Sequence, residues 1–255
     1  MDICFDTSLA DEYKSHSQRA RVLTEGWVEH NLFCPRCGNP RLLHFKNNRP
    51  VADFYCCQCK NEYELKSKGT KFSGKITDGA YSTMLARIHE NNNPDFLLMH
   101  YADNRVKNLT LIPKHFLLPS VIEKRKPLSD SARRAGWVGC NILLSKIPVQ
   151  GRIPIISDTI VSDIDSVVEK TSAAYNLEVK SIDARGWLMD VLNCVNAIPY
   201  DTFMLSDVYR FETQLQQLHP NNSNIKPKIR QQLQFLRDKG VLVFLGNGQY
   251  KKVWT

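Results

Sequence analysis

Residues 1–183 are predicted to form a mixed α/β domain, and residues 184–255 a small helical domain closed by a β-hairpin. Three patterns carry this division. Two Cys-x-x-Cys pairs sit among short β-branched and aromatic runs, strand and helix patterns alternate between residues 62 and 112, and three helix patterns precede a Gly-Asn-Gly turn. A chain of 255 residues is long enough to bury a substantial core in two domains.

Residues 6–31 read as helical, because Leu9, Tyr13, Ala20, Leu23 and Trp27 recur at roughly helical spacing. From Phe33 to Lys66 the texture changes: the cysteine pairs flank a Pro/Asn-rich NNRP stretch, and VADFY and EYELK read as short strands of a hairpin region. ITDGAYSTMLARIHEN, residues 76–91, suits an amphipathic helix, and DFLLMHY and NLTLIP read as two adjacent buried strands. Residues 114–151, rich in Pro, Ser, Lys and Arg, are expected to leave the core as a long basic surface excursion.

Beyond residue 183, ARGWLMDVLNCV gives one helix and LSDVYRFETQLQQL a second, with Ser206 as the expected N-cap of a helix beginning at Asp207. A third helix is expected over residues 226–239, where Pro227 fits a first-turn position and Gly240 a left-handed stop. VLVFL, the GNG turn and QYKKV complete a hairpin, so the order helix, helix, helix, hairpin reads as a winged helix.

Lys and Arg outnumber Asp and Glu by 34 to 26, a net charge of +8 that favours a polyanionic partner without identifying one. The excess is spread, 25 against 21 before residue 184 and 9 against 5 from there on, so no single basic tail explains it. The acidic start MDICFDTSLADEYK and the lack of any run of about 18 apolar residues argue against export or a membrane span. Four of the eight cysteines lie in the paired motifs, which suits metal better than disulfides and places the protein in a reducing cytoplasm.

Cys34-Pro-Arg-Cys37 and Cys56-Cys-Gln-Cys59 are 18 residues apart, as in a four-cysteine zinc ribbon. Four thiolates fill zinc's tetrahedral shell and leave no place for water, so this metal is expected to be structural. Cys57 leaves a Cys-x-Cys alternative open at the second pair, with Cys-x-x-Cys the better match.

Asp53 precedes Glu64-Leu65-Lys66 by eleven residues. On a strand, Glu64 and Lys66 share one face while Leu65 points into the core, and an Asp53 on the neighbouring strand converges on them. Phosphodiester cleavage needs a hard divalent cation, and carboxylates hold magnesium with several waters remaining. Asp53 and Glu64 are the expected ligands. Lys66 is expected to orient an attacking water, assist its deprotonation or stabilise the pentavalent phosphorus. An ordinary charged strand face gives the same pattern, and the neighbouring cysteine pairs and downstream helices weigh against that reading.

NNRPVADFYC, ELKSK, DGAY, RRAGWVGCN, KIRQQLQ and LRDKG, in this order, resemble segments of the DpnI-type methyl-directed restriction endonucleases. The resemblance implies a PD-(D/E)xK restriction-endonuclease-like core whose catalytic residues fall on Asp53, Glu64 and Lys66, with magnesium held by Asp53, Glu64 and the Leu65 backbone carbonyl. Pro50 stands three residues before Asp53, so the usual adjacent proline-aspartate pair is missing. It further implies double-strand cleavage within adenine-methylated GATC sites, and restriction of incoming methylated DNA.

On the third C-terminal helix, Ile229, Leu233 and Leu236 form an apolar stripe that leaves Arg230, Gln231 and Gln234 on or near the exposed side, with Lys226 and Lys228 at its start. Gln can address adenine with two hydrogen bonds, and Arg and Lys favour guanine or phosphate. Lys251 and Lys252 follow the turn and would place a wing near the DNA backbone. Arg133, Arg134 and Trp137 suit a groove-facing loop, where an indole could contact a methyl group; by the resemblance this tryptophan matches a methyl-contacting residue. Two rival readings are a non-enzymatic zinc-ribbon and winged-helix regulator, and a nuclease of the same fold that selects branched DNA.

Overall fold

The computed structural model describes residues 1–45 and 52–254. The NNRP stretch and Val51 of the expected VADFY strand lie outside the described residues. The first elements are α1 (His16–Asn31), β1 (Leu43–His44), β2 (Phe54–Tyr55) and β3 (Glu62–Lys68). Next come β4 (Lys75–Ala80), α2 (Tyr81–Glu90), β5 (Asp95–Ala102) and β6 (Arg105–Ile112). Then come β7 (Ile122–Lys124), β8 (Gly139–Leu143), β9 (Ile153–Ser157), β10 (Ile160–Val161) and α3 (Ile164–Tyr175).

The central sheet has the order β1-β2-β3-β5-β6-β9-β10. Its middle is β5, whose first five residues are all buried, as a strand covered on both faces requires. β3 and β5 run parallel and need a crossover, which β4 and α2 supply. β5 returns as β6 through Asp103 and Asn104, both with positive φ, the tight hairpin turn that matches strand twist. α1 buries Leu23, Trp27 and Val28, and Thr24 Oγ1 donates to Ser67 Oγ at 3.2 Å, tying the helix to β3.

Three expectations for this part need correction. The helix over residues 6–31 is broken, because Asp6 accepts from Ser8 N and Ser8 Oγ and closes a separate 3-10 turn at Thr7–Ala10; α1 starts only at His16. The helix over residues 76–91 is half strand. Ile76, Thr77 and Asp78 pair with β8, and the helix begins at Tyr81 and ends on Asn91 in the left-handed conformation. Residues 114–151 are mostly packed, since Phe116, Leu117, Leu118, Val121, Ile142 and Ile147 are buried and β4-β8-β7 form a second, antiparallel sheet. Only residues 125–138 remain as the basic excursion, with most of the KRKP run and all of ARRAG.

The C-terminal part comprises α4 (Ile182–Ala197), β11 (Thr202–Met204), α5 (Leu205–Tyr209), α6 (Glu212–Leu218), α7 (Ile225–Asp238), β12 (Leu242–Gly246) and β13 (Gln249–Lys252). Leu188, Leu192, Val208, Leu215, Ile229, Leu233 and Leu236 bury together beside the sheet β11-β13-β12, which makes a winged helix. β11 is an addition to the expected helix, helix, helix, hairpin order. Ser206 is not the N-cap: Asp207 Oδ2 accepts from Met204 N at 2.9 Å, so the helix starts at Leu205, and Phe211 splits the expected second helix in two.

A buried polar knot fixes β5 against its surroundings. The Asp95 carboxylate is fully buried and accepts from Lys114 N at 2.8 Å, Asn61 Nδ2 at 2.7 Å and the Tyr175 hydroxyl at 2.8 Å. Burial raises its pKa, and the donors oppose that shift. Tyr175→Phe removes one donor from a charge that cannot reach water and is expected to cost about 1–3 kcal/mol of stability in a denaturant melt. An unchanged midpoint would show that the knot contributes nothing.

Candidate active site and metal-binding cluster

Both cysteine pairs fold into the same turn. Gly38 N donates to Cys34 O and Cys34 N to Asn39 O, and Lys60 N donates to Cys56 O and Cys56 N to Asn61 O. Gly38 and Lys60 both adopt positive φ, at 75° and 62°, which turns the chain back after each pair. The turns face each other, with the sulfurs of Cys34, Cys37, Cys56 and Cys59 all within 4.8 Å. Cys34 Sγ to Cys59 Sγ and Cys37 Sγ to Cys56 Sγ each measure 3.6 Å, close to the ~3.8 Å edge of a tetrahedron around zinc.

Burial pushes the Cys34 thiol up and Cys59 up to about 11, while at Cys56 burial is outweighed by the amides of Cys59 and Gln58, which bring it to about 7. Four thiolates at this separation need a cation among them, so the donor set fits zinc. Cys57 is exposed and outside the cluster, which settles the spacing as Cys-x-x-Cys.

Asp53 enters the sheet one residue before β2. Its N donates to Tyr63 O at 2.9 Å and its O accepts from Phe45 N at 2.8 Å, which holds Asp53 between the two neighbouring strands just beyond the Phe54↔Tyr63 pair, beside Glu64. Asp53 Oδ2 accepts from Leu65 N at 2.7 Å. Leu65 packs partly against the core, as its place between two outward-facing residues requires. Lys66 Nζ lies 2.6 Å from Glu64 Oε1, and the Asp53 carboxylate acts electrostatically on Glu64 and is acted on by Lys66, so the three residues named from the sequence share one cluster.

Further residues join them. Asp78 on β4 meets Lys66 Nζ at 2.5 Å, and Arg87 on α2, whose Nη2 is buried without a hydrogen-bond partner among the described residues, feels the charges of Glu64 and Asp78. On the other side His44 Nε2 is 3.4 Å from Glu25 Oε2, and Glu25 acts on Asp53. Asp78 falls on the inward face of β4 with buried Ile76, where an acidic residue is a signal in itself, but a helical reading of that segment hides it. Arg87 and Glu25 carry no local signal.

Burial raises the pKa of Asp53, opposed mainly by the Leu65 amide, and burial raises Glu64 against the pull of Lys66. At Lys66 burial acts downward, and the carboxylates of Glu64 and Asp78 outweigh it and hold the ammonium above its ordinary value. Glu64 Oε2 is buried with no hydrogen-bond partner among the described residues. A carboxylate oxygen left bare beside a second carboxylate is an acceptor pair that suits a hard divalent ion.

Trp137 is half-buried in the loop between β7 and β8, with Arg133 and Arg134 exposed beside it and Arg134 Cζ 4.9 Å from the indole centroid. Its ring lies over Gly139, where a Cβ would come within 2.8 Å of it. The loop rises from β8 next to Cys140, the ladder partner of Asp78. On α7, Lys226, Arg230, Gln231 and Gln234 are exposed; Lys228 is half-buried with its ammonium 5.8 Å from the Trp187 ring. Arg230 Nη1 donates to the Tyr209 hydroxyl at 3.1 Å, and Lys226 pairs with Glu212 at 3.2 Å. Lys251 is exposed on β13, but Lys252 Nζ donates to the Ile198 carbonyl and so leaves the expected wing surface.

Because the folded chain raises the Asp53 pKa, stability contributed by its protonated form is lost as pH climbs out of the acid range, and a penalty persists at neutral pH. Asp53→Asn keeps an acceptor for Leu65 N and is expected to raise the melting temperature of the magnesium-free protein at pH 7, with the advantage shrinking toward about pH 4. A lower melting temperature at pH 7 would contradict the burial argument. Cys59→Ser is expected to release zinc and destabilise the fold, by at least the few kcal/mol at which single substitutions become exceptional; a full zinc content and unchanged melt would exclude the cluster as a metal site.

Two family models match the chain. The Dam-replacing HTH domain matches residues 183–252, over the winged helix. The Dam-replacing family, which bears the name DpnI, matches residues 1–180, over both sheets and both clusters. With the cysteine cluster, the carboxylate and lysine cluster and the winged helix all in place, and with matches over most of its length, the chain belongs to the Dam-replacing, or DpnI, family.

Proposed function

We propose that the chain is a magnesium-dependent type II restriction endonuclease that hydrolyses double-stranded DNA within adenine-methylated GATC sites. The observation that carries the reading is the meeting of Asp53, Glu64 and Lys66 across β2 and β3, with Glu64 Oε2 buried and bare. Membership of the family supports a nuclease, and the winged helix supports DNA as partner. Methylation, the GATC sequence and the choice of magnesium rest on the resemblance.

In this reading Asp53, Glu64 and the Leu65 carbonyl hold the ion, which supplies positive charge to the phosphate and acidity to bound water. A new P–O bond forms from the attacking water, which gives up a proton to solvent, while the P–O bond to the leaving oxygen breaks and that oxygen takes up a proton. The Lys66 ammonium is placed to orient that water, take part in its deprotonation or stabilise the phosphorane. Zinc at Cys34, Cys37, Cys56 and Cys59 is structural.

Recognition is assigned to two surfaces. The Trp137 indole offers an apolar face to a methyl group, with Arg133 and Arg134 on the phosphates. Lys226, Lys228, Arg230, Gln231 and Gln234 on α7 read or hold a second stretch of duplex, with Lys251 near the backbone. The division into a catalytic domain, 1–183, and a DNA-binding domain, 184–255, belongs to the same proposal, as does work in the cytoplasm. Among the described residues no helix is long and apolar enough to cross a membrane.

The decisive assay offers plasmid DNA with and without adenine methylation at GATC, in magnesium. Cutting of the methylated plasmid alone is expected, and equal cutting would favour a nuclease indifferent to methylation. Asp53→Ala and Lys66→Ala are expected to abolish cleavage with DNA binding retained, and nicking that survives either would remove that residue from the catalytic set. Without residues 184–255, affinity and its dependence on salt should both fall, because fewer phosphates are neutralised; an unchanged slope would deny α7 its role.

A further inference from the structure

The Lys66 ammonium has two carboxylate partners on different strands. It lies 2.6 Å from Glu64 Oε1 and 2.5 Å from Asp78 Oδ1. Glu64 is an assigned ligand of the divalent ion, and an ion on that carboxylate repels the ammonium now resting there. Lys66 then needs another anchor, because lysine is a point charge on a flexible four-carbon stem.

Asp78 meets that need from outside the ligand strands. It sits on β4, locked into the second sheet by the pairs Thr77↔Asn141 and Asp78↔Cys140. Its side chain is only 6 % exposed, whereas those of Glu64 and Lys66 are 18 % and 21 % exposed. Besides Glu64 and Asp78, the Asp53 carboxylate also acts on this group of charges, and Arg87 feels both Glu64 and Asp78.

We propose that Asp78 is a positioning residue that anchors the Lys66 ammonium at the scissile phosphate when the divalent ion occupies Glu64. The proposal rests on the nuclease reading above. Without Asp78, Lys66 keeps Glu64 as its carboxylate contact among the described residues and competes with the ion for it. Once the ion has won, the ammonium is free to swing, and misplacement by about 1 Å can cost about 100-fold in rate.

The test uses the full chain, zinc-loaded, with Mn²⁺ as the probe ion. Calorimetry measures Mn²⁺ affinity without DNA, and single-turnover and steady-state assays measure cleavage of a methylated duplex. Asp78→Asn is expected to weaken Mn²⁺ binding about tenfold, and to lower kcat by about 100-fold at saturating Mn²⁺, while KM for DNA stays within about twofold. Asp78→Glu should regain part of both losses, which a purely structural role would not give. In a Lys66→Met chain, Asp78→Asn should cause no further loss of Mn²⁺ affinity.

A penalty as large in the Lys66→Met chain as in the parent would overturn the proposal, by showing that Asp78 acts on the ion itself. Unchanged Mn²⁺ affinity and kcat in a folded Asp78→Asn chain would overturn it too. Should Asp78→Asn not fold, the Asp78→Glu chain decides. A kcat below the parent's at saturating Mn²⁺, with KM for DNA unchanged, supports the anchor; a parental kcat, or an Mn²⁺ penalty that persists beside Lys66→Met, overturns it. Asp53→Asn is the control for the underlying reading. Loss of Mn²⁺ binding there keeps the ligand assignment, and retention would sink that assignment whatever Asp78 does.

Discussion

The register between β2 and β3 is the constraint on which the rest depends. β2 spans only Phe54–Tyr55, and two residues of ladder are too few to hold themselves in place. The chain passes from β2 directly into the turn of Cys56 to Cys59, and from that turn into β3. The second cysteine pair is therefore the tip of the hairpin that holds Asp53 against Tyr63 and Leu65, beside Glu64. A slip of one residue would turn Asp53 to the other face of the sheet and dismantle the carboxylate pair. Metal held by the four sulfurs, tied as well to Tyr63 through the 3.1 Å contact with Cys34, would oppose such a slip.

The same hairpin explains why the carboxylate cluster can be costly and still persist. Asp53 and Glu64 are both held with raised pKa by burial, and Glu64 Oε2 and Arg87 Nη2 lack hydrogen-bond partners among the described residues. Each of these opposes folding. Stability comes instead from the apolar core around β5 and β6, from the Asp95 knot and from the cysteine cluster. Buried charge of this kind, held together at one place beside the sheet, suits a binding site for a charged ligand.

Much of this is legible in the residues, and the failures have physical causes. β5 and β6 are buried apolar runs with a polar turn, the cysteine pairs have a spacing with one good explanation, and α7 has a clean apolar stripe ending at Gly240. β4 escapes because its partner, β8, lies some sixty residues away and local pattern cannot see it, so Asp78 is hidden with it. Residues 114–151 mislead because the charges of residues 124–134 outweigh the apolar runs on either side. Ser206 loses its capping role because Asp207 reaches the Met204 amide three residues back. Arg87 and Glu25 reach the cluster only through the packing of α2 and α1, which no motif records.

Anomalous diffraction from crystals of the full chain grown with Mn²⁺ tests the central claim most directly. A manganese peak is expected within about 2.3 Å of carboxylate oxygens of both Asp53 and Glu64, apart from a zinc peak among the four sulfurs. A manganese ion bound elsewhere, with Asp53 and Glu64 both turned away from it, would contradict it.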